Sequence, residues 1–152
     1  MFYVEQKPSN HIKIGKIGEN VACRFLKQKG YEILERNFKR KWGEIDIICS
    51  KKESILNLLC STWNRGIRNV PRGTNDNKLV FVEVKTLKNT NFLTPEDNLT
   101  TNKQRKLIRT CQLYISEKGI NPDTEWQIDA ILVELDTNKR KAKVKHLKSA
   151  IY

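Results

Sequence analysis

The chain has 152 residues, 38% of them apolar and 30% charged, which is one domain's worth of polypeptide, 1–152, and enough to bury a core. Its mean hydropathy is negative and it holds no run of about 18 apolar residues, so a helical membrane protein is excluded. Twenty-nine Lys and Arg against seventeen Asp and Glu leave a net charge of +12, which attracts polyanions, nucleic acid above all, without dictating a fold.

Residues Asn10 to Lys29 are predicted to form a helix. Ile14, Ile17, Val21, Ala22 and Phe25 recur at helical spacing, with Asn10 placed to cap the start and Gly30 the end. Tyr31 to Phe38 is a predicted strand, and Glu-Ile-Asp-Ile-Ile at 44–48, after Gly43, is a second. Lys51 to Lys78 holds an apolar piece, Ile55 to Cys60, and then a run of Asn, Arg, Pro and Gly; it reads as an extended hairpin or inserted loop. Leu79 to Leu87 is the strongest strand in the chain. Thr100 or Thr101 caps a second helix that runs to Lys118 and closes at Gly119. Trp126 to Leu135 is a further strand, and Arg140 to Leu147 a last one at an edge. Helix, three strands, helix, one or two strands is the order of an α/β fold with a mixed central sheet flanked by helices.

Cys23, Cys49, Cys60 and Cys111 make no Cys-x-x-Cys pair, and the only histidines are His11 and His146, which argues against a zinc site. Met1 to Ile14 lacks the apolar stretch of a signal peptide. A cytoplasmic protein with reduced thiols is expected.

The chemistry concentrates in two strands. Side chains alternate along a strand, so Leu79, Phe81, Glu83, Lys85 and Leu87 share one face and Val80, Val82, Val84 and Thr86 the other. Apart from Glu83, Lys85 and Thr86 both faces are apolar, too much so for an edge ion pair. A charge kept in such a strand needs a partner or a metal. An acidic-x-Lys triplet is cheap, since Glu5/Lys7 and Asp76/Lys78 also make one, but only Glu83/Lys85 lies inside a long apolar strand. In the second strand Glu44, Asp46 and Ile48 are expected on one face and Ile45, Ile47 and Cys49 on the other. If the two strands are neighbours, Asp46 and Glu83 converge. A hard divalent cation, Mg²⁺ or Mn²⁺, would relieve their repulsion. On the first helix Glu19 falls beside Ala22 and Leu26, at the edge of the apolar arc, where it can supply a third carboxylate. Gln104 lies on the line of Leu107, Ile108, Cys111 and Ile115, where it can hold a phosphate or a metal-bound water.

Helix with Glu, strand with Gly-Glu-Ile-Asp, strand with Val-Glu-Val-Lys: this set resembles the PD-(D/E)XK nucleases, which have a restriction-endonuclease-like fold. More closely, the chain resembles the YraN-like family of small uncharacterised bacterial proteins, through Gly15 to Ala22, Gly30 to Leu34, Asn37, Gly43 to Ile48, Leu79 to Thr86 and Lys103-Gln104. That family is similar in core to archaeal Holliday-junction resolvases. The resemblance implies Asp46 and Glu83 as metal-binding acids, Lys85 as the catalytic lysine, Glu19 as the helix-one acid that assists metal binding, and Gln104 as the polar position of helix two. Two departures stand out. Thirty-six residues separate Asp46 from Glu83, a longer gap than is usual, and Ile45 stands where a Pro would precede Asp46.

The expected function is Mg²⁺-dependent hydrolysis of DNA phosphodiester bonds, on branched or damaged DNA, and paired cuts on a junction would need a homodimer. A nuclease-fold module that grips nucleic acid without cutting is the alternative. A basic structural protein of a ribonucleoprotein particle would need no converging acids. Glu44 reads as a solvated neighbour of the site, and Asp129 as structural or as a further arm of the site. His146 is isolated. Lys139, Arg140, Lys141, Lys143, Lys145 and Lys148 either protect an edge strand or bind DNA. Lys13, Lys16, Arg24, Lys27, Lys29, Lys39, Arg40 and Lys41 are placed to touch phosphates. Trp42 and Trp63 either pack or stack on bases.

Overall fold

The computed structural model describes residues 10–52, 77–88, 101–136 and 141–151. Its elements are α1 (Asn10–Gln28), β1 (Tyr31–Arg40), β2 (Gly43–Lys52), β3 (Asn77–Lys88), α2 (Thr101–Glu117), β4 (Trp126–Asp136) and β5 (Lys141–Ile151). The five strands form one sheet in the order β1-β2-β3-β4-β5. Neighbours are antiparallel except β3 and β4, which run parallel because α2 crosses between them. This is the α/β, restriction-endonuclease-like core expected from the sequence.

A helix covers each face. On one side Ala22, Cys23 and Leu26 of α1 pack on Tyr31, Ile47, Cys49, Val80, Val82, Ile131 and Val133. On the other, Leu107, Cys111 and Tyr114 of α2 pack on Phe38, Ile45, Ile48, Leu79, Phe81 and Ile128. Tyr114 meets Phe38 and Phe81 edge-on, with ring centroids 5.0 and 5.8 Å apart. α2 ends as predicted. Gly119 takes φ 61°, and the Ile120 N–H reaches back to the Ile115 carbonyl at 3.0 Å, a left-handed cap that glycine adopts without strain. α1 lies very close to β3 at Gly18, where a Cβ would overlap the Thr86 side chain.

Lys51 pairs with Lys78 and Lys52 with Asn77. These flanks of the expected insertion are therefore ladder, and its remainder, 53–76, lies outside the described residues, as does Trp63. β5 runs to Ile151, beyond the predicted Leu147. Its register against β4 shifts between Ile128 and Ala130, and Ser149 sits there at φ 47°. The bulge breaks the alternation that would have betrayed the strand's last residues. β5 is an edge strand, and Lys141, Lys143, Lys145 and Lys148 on it are exposed.

Candidate metal and nucleic-acid site

β3 keeps strict alternation. Val80, Val82 and Val84 face α1, and Leu79 and Phe81 face α2, so Glu83 and Lys85 fall on the α2 face. β2 does not alternate as expected. Ile47 and Cys49 face α1, but Ile45, two residues earlier, joins Ile48 on the α2 face. The strand turns over at Asp46. The register places Asn37 of β1 opposite Asp46, between the pairs Arg36↔Ile47 and Phe38↔Ile45, and Asn37 has φ 55°. A left-handed residue there kinks the hairpin.

Beyond this point β2 leaves β3. Their pairing ends at Ile47↔Val82, while β3 continues along β4 as far as Lys88↔Leu135. The ladder partner that Val84 loses is replaced by a side chain, since Asp46 Oδ2 accepts the Val84 N–H at 2.6 Å. The Asp46 carboxyl is thus wedged into the opening between two strands. Burial, with smaller contributions from the charges of Glu83, Glu19 and Glu44, pushes its pKa up to about 7, against the opposing pull of the Val84 N–H.

Glu83 is half-buried, and its Oε1 accepts from Lys103 Nζ in the first turn of α2 at 2.5 Å. Glu19, on α1, faces the helix–sheet boundary as expected and pairs with Arg36 of β1 at 3.4 Å. Glu44 is exposed and pairs with Lys39 at 2.9 Å. Lys85 is half-buried, and makes no ion pair among the described residues. Gln104 is half-buried in the first turn of α2. The structure therefore gathers Asp46 and Glu83 at the opening and keeps Glu19 within electrostatic reach. The carboxylates of Glu83 and Glu19 are turned to cations of the chain itself, and no three acid, imidazole or thiol groups form a coordinating cluster among the described residues. By chemistry the donors fit a hard divalent cation: they are all oxygen, and half-buried Asp46 stands among other acids.

Sequence reasoning missed Lys103. No acid occupies the first turn of α2, and a lysine there opposes the helix dipole, which signals an acid close by. It also left Asp129 and His146 apart. Asp129 is fully buried, with Oδ1 accepting from Gln127 Nε2 at 2.6 Å and from Ser149 N–H at 2.9 Å, while Oδ2 shares a hydrogen bond with His146 Nε2 at 2.7 Å. Phe25 and Tyr31 wall the imidazole. The hydrogen-bond partners of Asp129 all stand on β4 and β5, so it braces the β5 bulge and is no arm of the acid site. Burial raises the thiol pKa of Cys23, Cys49 and Cys111, that of Cys49 to about 12, so these thiols stay protonated.

Fold and site together define a class: an α/β core whose central strands part around a half-buried aspartate, with a Glu-x-Lys on the strand beside it. The model of the uncharacterised protein family UPF0102 matches residues 18–133, and the chain belongs to this family, the YraN-like family. A UPF0102 protein of Clostridium botulinum (strain Loch Maree / Type A3) is 36% identical over 137 residues, 90% of this chain and 92% of that protein. One of Caldanaerobacter subterraneus subsp. tengcongensis is 33% identical over 147 residues, 95% of this chain and 98% of that protein. Among the described residues no helix is long and apolar enough to cross a membrane.

Proposed function

We propose that this protein is a divalent-cation-dependent nuclease that hydrolyses DNA phosphodiester bonds, with branched or damaged DNA as substrate. The observation that carries the reading is the Asp46 carboxyl, wedged where β2 leaves β3, with its pKa raised to about 7 among Glu83, Glu19 and Glu44. A partly desolvated acid among acids is the group that gains most from a cation.

Asp46 and Glu83, with Glu19, would hold Mg²⁺ or Mn²⁺. When bound, such an ion neutralises charge on the scissile phosphate and favours loss of a proton from water. Lys85 lies on the same face as Glu83, two residues on, and orients the attacking water or offsets charge growing on the phosphate. Gln104, at the start of α2, holds a phosphate oxygen or a water. The net charge of +12 draws the polyanion in.

The test is cleavage of labelled duplex, four-way junction, flap and single-stranded DNA, and of RNA, with Mg²⁺, with Mn²⁺ and with chelator. Metal-dependent cutting that disappears in Glu83→Gln and Asp46→Asn is the expected result. Unchanged cutting in either variant overturns the site.

One observation favours the non-cutting alternative. Lys103 and Arg36 already balance Glu83 and Glu19, a state that needs no metal. Titration calorimetry with Mn²⁺ separates the two readings: the nuclease binds the ion and the binding module does not.

A further inference from the structure

The tip of the β1–β2 hairpin carries Trp42, which is 43% exposed. An indole left in water forgoes a large burial gain, so its position is informative. It is also held firmly. Gly43, next to it, packs on α2 so tightly that a Cβ would lie 3.2 Å from Thr110 Oγ1. Arg40, two residues before, makes three hydrogen bonds of 2.6 to 3.0 Å to Glu117 at the far end of the helix.

Two cations lie over the indole, the Arg109 guanidinium at 4.9 Å and the Lys41 ammonium at 5.3 Å from the ring centroid. Arg109 ends a row. Lys103, Lys106 and Arg109 stand three residues apart along one ridge of α2. The ridge starts at Glu83, the partner of Lys103, and climbs roughly 9 Å along the helix axis to the indole. Lys106, Arg109 and Lys41 are exposed and have no acidic partner among the described residues. The row thus joins the carboxylate site to an aromatic platform over a distance of one or two nucleotides.

We propose that Trp42 is a stacking platform for an unpaired nucleobase, one or two nucleotides from the Asp46–Glu83 site, with Lys106 and Arg109 taking the intervening phosphates. The inference rests on reading the carboxylate pair as a nucleic-acid site, and it names the substrate class: a strand with an unpaired base beside the point of attack. A continuous duplex offers no free base face to the indole, whereas a single strand, a flap or a frayed junction does. Lys41, on a flexible stem, yields its place over the ring to the base and moves its charge to the adjacent phosphate.

The experiment is binding of fluorescent single-stranded DNA, single-stranded RNA and blunt duplex DNA, measured by anisotropy in chelator. The parent, Trp42→Ala and Trp42→Phe proteins are compared after their thermal melts are shown to match. Trp42→Ala is expected to weaken single-strand binding about tenfold and blunt-duplex binding less than twofold, and Trp42→Phe to keep most of the affinity. The tighter of the two single strands identifies the sugar. Equal losses on single strand and duplex, or none on the single strand, overturn the proposal, as does failure of the parent to bind a single strand. Because chelator removes catalysis, a negative cleavage assay with a positive binding result would defeat the nuclease reading and leave the platform standing.

Discussion

Asp46 carries a cost that the fold has not removed. Its pKa of about 7 in the folded chain compares with about 3.9 in an unfolded one. The folded form therefore binds more protons than the unfolded form between those values. Stability falls as pH rises through that window and levels off above about 7, by about 4 kcal/mol at most. Asp46→Asn keeps an oxygen for the Val84 N–H and carries no charge. It should melt above the parent at pH 8, with about 1–4 kcal/mol in hand, and level with it near pH 4; a gap of equal size at both pH values would refute the burial account. The Lys103–Glu83 pair is half in solvent and worth no more than about 1 kcal/mol. Lys103→Met frees Glu83, and Mn²⁺ affinity in calorimetry should rise by up to about fivefold. Glu83, Lys85 and Glu19 could be singled out in the sequence because alternation and a helical arc reveal a charge set among apolar neighbours, and Asp46 because it stands between isoleucines, although the alternation expected around it fails. The parting of the strands was not, because it depends on Asn37 at positive φ and on a side chain replacing a ladder bond, and neither leaves a periodic trace.

The elements were legible where a pattern was unbroken. α1, α2 and β3 follow their apolar spacing and caps, and their predicted ends hold to within two residues. β2 and β5 run longer than predicted, through Lys51 and Lys52 in one and through Lys148 to Ile151 in the other, since a ladder needs backbone and not an unbroken apolar pattern. Gly18 is the tightest contact between layers among the described glycines. A methyl group there meets Thr86 Oγ1 and Cβ, so α1 must lift from β3 one residue away from Glu19. Gly18→Ala should lower stability by about 1–3 kcal/mol in urea melts, and Thr86→Ala in the same chain should recover part of it. An unchanged midpoint in Gly18→Ala would show that the helix can shift freely.

Among the described residues many of the acids are taken up by bases of the chain itself, and most of the bases are left over. Glu19, Glu35, Glu44, Glu83 and Glu117 each hold a basic partner, and Lys39 and Arg40 of the hairpin, two expected phosphate contacts, are taken up this way. The surplus lies on α1, on α2 and on β5, so the positive field wraps both layers and one edge. Strand order equals chain order, so each strand finds its neighbour already made as the chain is synthesised, and only α2 must cross a face before β4 can pair. Asp46 precedes its donor Val84 by 38 residues. Until β3 arrives, that carboxyl stays hydrated and ionised at neutral pH, and its proton and its burial come together when the strand docks. The addition of β3 is therefore the step in the birth of this protein that mild acid favours and alkali opposes.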